Sequence, residues 1–242
     1  MNAKHRFYCP PSCFSDKHVV FPEDEARHAV KVLRLAPGDL VTVVDGVGGE
    51  FQVRMETLAK RTVIGAVESR STVQVEPAVQ VRVGLALLKQ SARFETFLEK
   101  AVELGAHEII PLTTSRSEAS SFRRARAEAI MVSALKQSGR SVLPVLRDVT
   151  RLEDALREPP PTPGGARLLA HEGTGPASHI RHVLPADASH VTVLIGPEGG
   201  FTDEEVQAGR ERDWTPAWLG ARRLRAETAA MAALGFIIMS LE

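Results

Sequence analysis

The sequence of 242 residues has only two cysteines and no long apolar run. Two cysteines cannot build a disulfide framework. Cys9 and Cys13 match no common zinc-ligand spacing, even with His5 and His18 nearby, so we interpret them as reduced thiols. No segment approaches the roughly 18–20 apolar residues of a membrane span, and residues 1–6 lack the apolar stretch of a secretory signal. We therefore expect a cytoplasmic protein with neither a membrane nor a metal partner.

The net charge is zero, because 30 Lys and Arg balance 30 Asp and Glu. The chain as a whole therefore does not indicate binding to a polyanion. The charges are unevenly distributed: residues 116–147 hold seven basic and two acidic side chains, and Arg222, Arg223 and Arg225 form a second basic group. Such patches can neutralise phosphates on one face. Residues 123–126 taken alone fit an ordinary solvated helix surface better.

The first 74 residues have the pattern of a small β-barrel. Residues 40–44 are mostly β-branched, residues 51–55 alternate between apolar and polar, and residues 61–67 form a third β-rich run. One helix is predicted between Glu23 and Leu35. Small barrels often carry RNA-binding loops, but a fold alone does not establish a function.

Residues 75–242 have a different pattern, in which strands alternate with helices. Strands are predicted at residues 79–87, 108–112, 167–170, 191–195 and 217–219. The helix after the first of these has one apolar face, formed by Phe94, Phe97, Leu98, Ala101 and Val102, and ends at Gly105. A basic helix is predicted at residues 123–138, and a last helix begins near Ala226. This alternation indicates an α/β domain with a largely parallel sheet.

A glycine-rich loop, Gly196-Pro197-Glu198-Gly199-Gly200-Phe201, follows the strand at 191–195. Thr202 and Glu205 after it have the spacing of a capping box, which marks a helix start. Strand, glycine loop and helix present backbone amides to a ligand at the carboxyl edge of α/β sheets. The chain has no Gly-Lys-Ser/Thr, and its glycine spacing excludes a dinucleotide-dependent oxidoreductase. The acid inside the loop favours a positively charged cofactor without phosphate, and a tight structural turn explains the loop alone equally well.

Two segments carry a strong family resemblance. Residues 195–202 (IGPEGGFT) and 219–233 (LGARRLRAETAAMAA) resemble the bacterial small-subunit rRNA uridine-N3 methyltransferases of the SPOUT superfamily. The likeness continues in residues 94–105, residues 136–141 (KQSGRS), His171-Glu172, residues 6–8 and residues 28–41. It therefore spans nearly the whole chain, with the motifs in family order.

The resemblance implies a trefoil-knotted, SPOUT-type α/β methyltransferase domain at 75–242, preceded by a small PUA-like RNA-binding β-barrel at 1–74. It implies S-adenosylmethionine as cofactor and a homodimer with its active site near the subunit interface. The implied reaction is methylation of N3 of one uridine in the decoding region of 16S rRNA, with the 30S subunit as favoured substrate. The residues that match the family's cofactor loops are Gly196, Glu198, Gly199, Gly200, Leu219, Gly220, Leu224, Thr228 and Ala229.

The implied chemistry makes its own demands on side chains. The N3 proton of uridine must leave, and the negative charge then spreads over two flanking carbonyl oxygens. An arginine suits that anion and can also bind phosphate, so we predict Arg225 as a catalytic residue, with Arg6 and Arg140 as substrate-binding residues. Glu227 is the second predicted catalytic residue. Either Glu198 or Glu227 can accept the proton or simply order its loop.

Three departures from the family pattern qualify the resemblance. Ser138 stands where relatives commonly carry cysteine, Ala221 replaces a usual proline, and Gln90-Ser91-Ala92 replaces a usual Lys-Gly-Asp turn. Two rival functions are a SPOUT enzyme that methylates tRNA ribose and an assembly factor that has lost activity. The N-terminal barrel and the Gly139-Arg140 pair argue against the first, and the intact glycine loops argue against the second.

Overall fold

The structure is a computed structural model that describes residues 5–59, 62–71 and 75–242. The chain divides into two compact units, of which the first is Met1–Glu76 with Leu135–Leu143 and the second is Pro77–Ala134 with Pro144–Glu242. The domain limits expected from the sequence, 1–74 and 75–242, stay a prediction. The sequence pattern does not indicate that the segment Leu135–Leu143 packs with the first unit.

The first unit contains a five-stranded sheet and one short helix. Its elements are β1 (Arg6–Tyr8), β2 (His18–Val20), α1 (Glu23–Arg27), β3 (Leu40–Val44), β4 (Glu50–Leu58) and β5 (Val63–Ser71). The strand order is β1-β3-β4-β5-β2, with β1 and β3 parallel and the other neighbours antiparallel. Side chains from all five strands form one apolar core, among them Phe7, Val19, Val41, Val53 and Val63.

The predicted strands of this unit are confirmed. Residues 40–44 form β3, and the alternating residues 51–55 lie in β4. The run predicted from Arg61 forms β5, which begins at Val63; Arg61 itself lies outside the described residues.

The helix predicted between Glu23 and Leu35 is shorter than expected. After α1 ends, a π-helical turn continues the path only to Val32. Arg34 has a φ angle of +53°, which a right-handed helix cannot contain, so the helical path ends before Leu35.

The second unit contains a seven-stranded parallel sheet and six α-helices among its described residues. Its elements are β6 (Gln80–Ala86), α2 (Ser91–Glu103), β7 (Glu108–Thr113), α3 (Arg124–Ser138, whose last residues belong to the first unit), β8 (Val145–Leu146), β9 (Thr150–Arg151), α4 (Leu152–Arg157), β10 (Ala166–Ala170), α5 (Ile180–Val183), β11 (His190–Ile195), α6 (Asp203–Arg210), β12 (Thr215–Ala217) and α7 (Ala226–Leu241). The strand order is β12-β10-β11-β6-β7-β8, and β9 also pairs with β7. Every pairing in this sheet is parallel, which confirms the expected α/β class.

Two helices that pack together bring rigid surfaces next to the sheet. The predicted apolar face of α2 is confirmed, because Phe94, Phe97, Leu98, Ala101 and Val102 are all buried. Gly105 follows α2 with a φ angle of +99°, a conformation that favours glycine and ends the helix. The alanine-rich α7 packs against α2, β6 and β11. Across the described residues, no helix is both long and apolar enough to cross a membrane.

The strand predicted at residues 217–219 is wrong by two positions, because β12 ends at Ala217. Its residues pair with β10, but Trp218 turns away to another segment. The backbone N–H of Trp218 donates to the carbonyl oxygen of Ser178 at 2.8 Å, and its carbonyl accepts from Ile180 at 3.0 Å. The backbone therefore changes its hydrogen-bonding partner at Trp218, from β10 to the segment that contains Ser178 and Ile180. The local sequence does not reveal this change.

Candidate active site

The glycine-rich loop between β11 and α6 folds tightly on itself. The Thr202 hydroxyl accepts a hydrogen bond from the backbone N–H of Glu205 at 3.2 Å, and the Glu205 carboxylate accepts from the backbone N–H of Thr202 at 2.8 Å. This capping box confirms the predicted helix start. Gly196 has no room for a side chain, because a Cβ atom there would lie 2.9 Å from backbone atoms of Gly200 and Phe201.

Two residues that follow β7 hold this loop from outside. Arg116 Nη1 donates to the carbonyl oxygen of Gly199 at 2.6 Å. The backbone N–H and the hydroxyl of Ser115 both donate to Glu205 Oε1, at 2.9 and 2.7 Å. The backbone of the glycine loop is therefore fixed before any ligand binds, which is the preorganisation that a binding loop needs.

The second loop leads from β12 into α7. The His179 ring lies edge-on to Trp218, with ring centroids 5.6 Å apart, and supports the start of the loop. Gly220 has a φ angle of +112°, which favours glycine. Arg225 directly precedes α7 in an extended conformation (φ −67°, ψ 151°), and its side chain is exposed. The N-terminus of this 16-residue helix carries partial positive charge, so Arg225 stands where negative charge is favoured.

A cavity of about 460 Å³ lies between the two loops, next to the carboxyl ends of β10, β11 and β12. Eight of the residues that the sequence singled out line it: Gly196, Glu198, Gly200, Leu219, Gly220, Leu224, Arg225 and Ala229. Gly199, Glu227 and Thr228 are not lining residues, although each adjoins one in sequence. The structure thus brings both predicted loops to one site, although α6 and β12 separate them in sequence.

Several further side chains line this cavity although the sequence prediction gave them no role at the site. They are Arg93, His171, Glu172, Trp218, Arg222 and Arg223. His171 and Glu172 directly follow β10, and a polar pair at the carboxyl end of a parallel strand was the signal available for them. No local signal distinguished Arg93 from the other arginines of the chain.

Arg93 contacts one carboxylate from each loop region. Its Nε and Nη2 atoms donate to the two carboxylate oxygens of Glu227 at 2.8 and 2.7 Å, and its Nη1 atom donates to Glu198 Oε1 at 3.0 Å. Burial raises the pKa of Glu227. Hydrogen bonding and the charge of Arg93 lower it by more than burial raises it, so the pKa lies below its ordinary value. The hydrogen bond to Glu227 raises the pKa of Arg93. Arg93 and Glu227 therefore form a charged pair at neutral pH.

Arg6 and Arg140, the predicted substrate-binding residues, lie in the first unit. Arg6 Nη2 donates to the carbonyl oxygens of Gly139 and Arg140 at 2.8 and 3.0 Å, and Arg6 Nη1 pairs with Glu50. The Arg140 side chain is only 5% exposed, and its Nε and Nη2 atoms donate to Glu76 Oε2 at 2.9 and 2.6 Å. Both guanidinium groups therefore bind protein groups in this structure.

The two cysteines are free thiols in the first unit. Cys9 is buried and Cys13 is half-buried. Burial, with smaller contributions from neighbouring groups, raises the pKa of the Cys9 thiol, which makes it a poor metal ligand and a poor nucleophile. Within the part of the chain that the structure describes, no group of three or more His, Cys, Asp or Glu side chains is arranged to hold a metal ion.

The cavity has the size and chemistry for S-adenosylmethionine. Its volume lies within the roughly 300–1,000 Å³ of small-molecule sites. Leu219, Leu224 and Ala229 offer an apolar wall suited to a planar base, and the glycine loops expose backbone groups for hydrogen bonds. The carboxylates of Glu172 and Glu198 suit a positively charged sulfonium or amino group. The residues present therefore fit this cofactor.

Comparison with known proteins gives two family matches. The model of the RNA methyltransferase domain matches residues 75–238, which is more than half of the chain, and the model of the RNA methyltransferase PUA domain matches residues 21–68. The predicted fold class, a SPOUT-type methyltransferase domain preceded by a small PUA-like domain, is confirmed. The knot itself stays a prediction.

Three relatives illustrate the likeness. The ribosomal RNA small subunit methyltransferase E of Mycobacterium tuberculosis is 31% identical over 226 residues, which covers 88% of this chain and 83% of the relative. That of Bacillus subtilis is 29% identical over 226 residues, with coverage of 88% and 87%. The crystal structure of the Neisseria gonorrhoeae ribosomal RNA small subunit methyltransferase E, bound to S-adenosyl methionine, is also similar. It has a TM-score of 0.86 at 28% identity, and the match covers 96% of both chains. The chain therefore belongs to the ribosomal RNA small subunit methyltransferase E family.

Proposed function

We propose that this enzyme transfers a methyl group from S-adenosylmethionine to N3 of one uridine in the decoding region of 16S rRNA. The observation that carries the proposal is the cavity between the two glycine-containing loops, whose lining includes an exposed arginine and the Glu198 carboxylate, of which Arg93 binds only one oxygen. The cofactor supplies an electrophilic methyl group on a positively charged sulfur. The protein must bind it, orient the uracil ring, remove the N3 proton and stabilise the charge that develops on the ring.

Arg225 is suited to stabilise that charge. Its side chain is exposed at the cavity, and its charge helps to lower the pKa of Glu227. A guanidinium group keeps its charge at any physiological pH and offers several N–H donors. We assign it to the uracil carbonyl oxygens, where negative charge grows as N3 is methylated.

Glu198 is better suited than Glu227 to accept the N3 proton. Both oxygens of Glu227 are occupied by Arg93, its side chain is 9% exposed, and its pKa is lowered. A carboxylate with a lowered pKa, with both oxygens bound to an arginine, is a weak base. Glu198 lines the cavity, is 39% exposed, and uses only Oε1 for Arg93, which leaves Oε2 available. We therefore assign proton acceptance to Glu198 and an ordering role to Glu227.

The glycine loops would bind the cofactor mainly through backbone groups. Gly196, Gly200 and Gly220 keep the peptide groups close to the cavity, and Leu219 and Leu224 would contact the adenine ring. Thr228 and Gly199, which do not line the cavity, would act by holding the two loops in place. Arg116 supports this role for Gly199, because it binds the Gly199 carbonyl oxygen.

We propose an indirect role in RNA binding for Arg6 and Arg140. Their guanidinium groups are bound by Glu50 and Glu76, so a direct phosphate contact would first require an ion pair to break. Glu76 also accepts hydrogen bonds from the backbone N–H groups of residues 141 and 142, at 2.9 and 3.0 Å. The two arginines thereby fix the segment after α3, and we propose that they support RNA binding by holding this segment in place.

Further parts of the proposal rest on the family resemblance. We propose that the enzyme is cytoplasmic, that its C-terminal segments form the trefoil knot, that it acts as a homodimer, and that it prefers the assembled 30S subunit to naked RNA. The side chain of Met239 on α7 is 76% exposed, which suits a subunit contact. Light scattering at several protein concentrations would test the dimer.

Methyl transfer from labelled S-adenosylmethionine tests the function directly. The acceptors are 30S subunits that lack the modification, naked 16S rRNA and bulk tRNA, and nucleosides from each are identified by mass spectrometry. We expect 3-methyluridine in the 30S sample and none with the Arg225→Ala variant. A 2′-O-methylated nucleoside in tRNA would replace the proposal with the ribose methyltransferase. Binding of 30S subunits without any transfer would replace it with the assembly factor.

A further inference from the structure

We infer that Arg93 is a positioning residue that couples the two loops of the active site and orients Glu198 for proton acceptance. This inference rests on the proposed function. Arg93 is the third residue of α2, far in sequence from both loops, and its guanidinium group contacts a carboxylate at each of them. Its side chain is 19% exposed, so the contacts are partly shielded from water.

The geometry of Arg93 is that of a fixed bridge. Two of its N–H groups each donate to one oxygen of Glu227. This bidentate arrangement fixes both the distance and the orientation of the carboxylate relative to the guanidinium group. A third N–H group, on Nη1, remains for Glu198 Oε1 at 3.0 Å. Because the first contact is bidentate, the direction of the second is set by the planar guanidinium group. The position of Glu198 thus depends on Arg93, and the contact with Glu227 steadies Arg93.

The helix that carries Arg93 is a rigid base for this bridge. The next residue, Phe94, is buried, and so are Phe97 and Leu98 in the following turn. A side chain at the start of a packed helix is held more precisely than one on a loop. By contrast, Glu198 lies in a loop and has Arg93 as its ion-pair partner among the described residues.

Substitution of Arg93 would have two separate effects. It would leave Glu227 buried without its partner, which destabilises the fold. It would also free Glu198 to move, and a displacement of about 1 Å at a reacting group can lower a rate by roughly 100-fold. Lysine would keep the charge, but it lacks the planar fork and cannot bind both carboxylates in the same geometry.

The step that Arg93 supports is balanced within the proposed reaction. The N3–H bond of uracil breaks and its proton moves to Glu198 Oε2. The N3 atom forms a bond to the methyl carbon, and the electron pair of the broken sulfur–carbon bond stays on sulfur. Arg93 gains and loses no proton, because hydrogen bonding to Glu227 raises its pKa and keeps it charged.

The test separates positioning from stability with a double variant. Arg93→Met leaves an unpaired buried carboxylate, and Arg93→Met with Glu227→Gln removes that carboxylate's charge. Glu227→Gln alone and Lys100→Met are the controls; Lys100 is a cation of the same helix whose partners are Glu99 and Glu103. For each protein we would measure the melting temperature, S-adenosylmethionine affinity by calorimetry, and the single-turnover rate on the RNA that the wild type methylates.

We expect Arg93→Met to melt at a lower temperature, to bind S-adenosylmethionine about tenfold more weakly, and to react about 100-fold more slowly. The double variant should regain most of the melting temperature but not the rate, whereas Glu227→Gln alone should keep at least about a tenth of the rate. Arg93→Lys should stay near the rate of Arg93→Met, and Lys100→Met near that of the wild type.

Recovery of the rate together with the melting temperature in the double variant would overturn the inference, as would full activity of Arg93→Lys. Failure of the proposed function looks different, because the wild type itself would then methylate none of the RNAs offered. The calorimetric comparison of wild type and Arg93→Met still reports on the coupling of the two loops in that case. Equal affinities would overturn the inference too.

Discussion

Replacing Glu198 with glutamine removes a proton acceptor from the cavity while it preserves shape. The glutamine side chain has the same length, and its amide oxygen can still accept the hydrogen bond that Arg93 Nη1 donates to Glu198 Oε1 at 3.0 Å. The atom that changes character is the second oxygen, which the structure leaves without a bond to Arg93. The substitution therefore tests the chemistry of one atom and not the architecture of the site.

The expected size of the effect follows from what that atom would do. A positioned general base typically contributes about 10²–10⁴ in rate, which corresponds to roughly 2.7–5.5 kcal/mol of transition-state stabilisation. Binding of S-adenosylmethionine should change by less than about threefold, because Glu198 is one of many lining residues and keeps its bond to Arg93. The rate of the variant should also rise with pH more steeply than that of the wild type, since solvent must then remove the N3 proton.

Single-turnover methyl transfer at saturating cofactor, measured across a pH series, is the appropriate assay. The matched control is Glu227→Gln, which neutralises the neighbouring carboxylate that Arg93 already occupies. We expect the control to lose less than about tenfold in rate and to keep the pH dependence of the wild type. The contrast between two glutamates bound to one arginine isolates the role of the free oxygen.

A wild-type rate for Glu198→Gln would refute the assignment. A large loss in Glu227→Gln with a small loss in Glu198→Gln would reverse it and make Glu227 the acceptor, despite its lowered pKa. A loss of cofactor affinity that matches the loss of rate would show that Glu198 acts in binding, because only an effect confined to the chemical step fits proton acceptance.

Three further predictions follow from the same site. Arg225→Ala should abolish methyl transfer with little change in S-adenosylmethionine affinity by calorimetry, because we assign its exposed side chain to the uracil carbonyl oxygens and not to the cofactor; full activity would remove Arg225 from the mechanism. Gly196→Ala should lower the melting temperature and weaken cofactor binding, at a cost of about 1–3 kcal/mol, because its Cβ would meet backbone atoms at 2.9 Å. Its control, Gly199→Ala, meets only the Arg116 side chain at 3.3 Å and should be mild; equal effects would contradict the steric argument. The lowered pKa of Glu227 means that its ion pair stabilises the fold fully above the ordinary value of 4.5 and progressively less as the pH falls below it. Melting of the wild type between about pH 5 and pH 3 should therefore fall more steeply than melting of Glu227→Gln, and parallel curves would show that the pair contributes nothing.

Local patterns in the sequence predict much of this protein. The period of 3.6 residues along α2 identified every residue of its buried face, because burial on one side of a helix imposes that period directly. Thr202 and Glu205 predicted the start of α6, since a capping box involves only residues three apart. Family resemblance placed Gly196 and Gly220 in two loops of one site, and both line the cavity.

Other features depend on contacts between distant residues and were decided only by the tertiary structure. Trp218 leaves β12 because its backbone forms hydrogen bonds with Ser178 and Ile180, which are distant in sequence. Arg140, predicted from the sequence as a substrate-binding residue, is buried against Glu76 because the segment after α3 packs with the first unit. Neither partner can be read from the neighbouring residues.

The division is sharpest for the two glutamates of the site. The sequence left open whether Glu198 or Glu227 accepts the proton, and the prediction named Glu227 as catalytic and Glu198 as cofactor-binding. Arg93 distinguishes them, because it occupies both oxygens of Glu227 and only one of Glu198. The types of residue at a site follow from the sequence, but the reactivity of each depends on which neighbour satisfies its hydrogen bonds, and only folding brings that neighbour into contact.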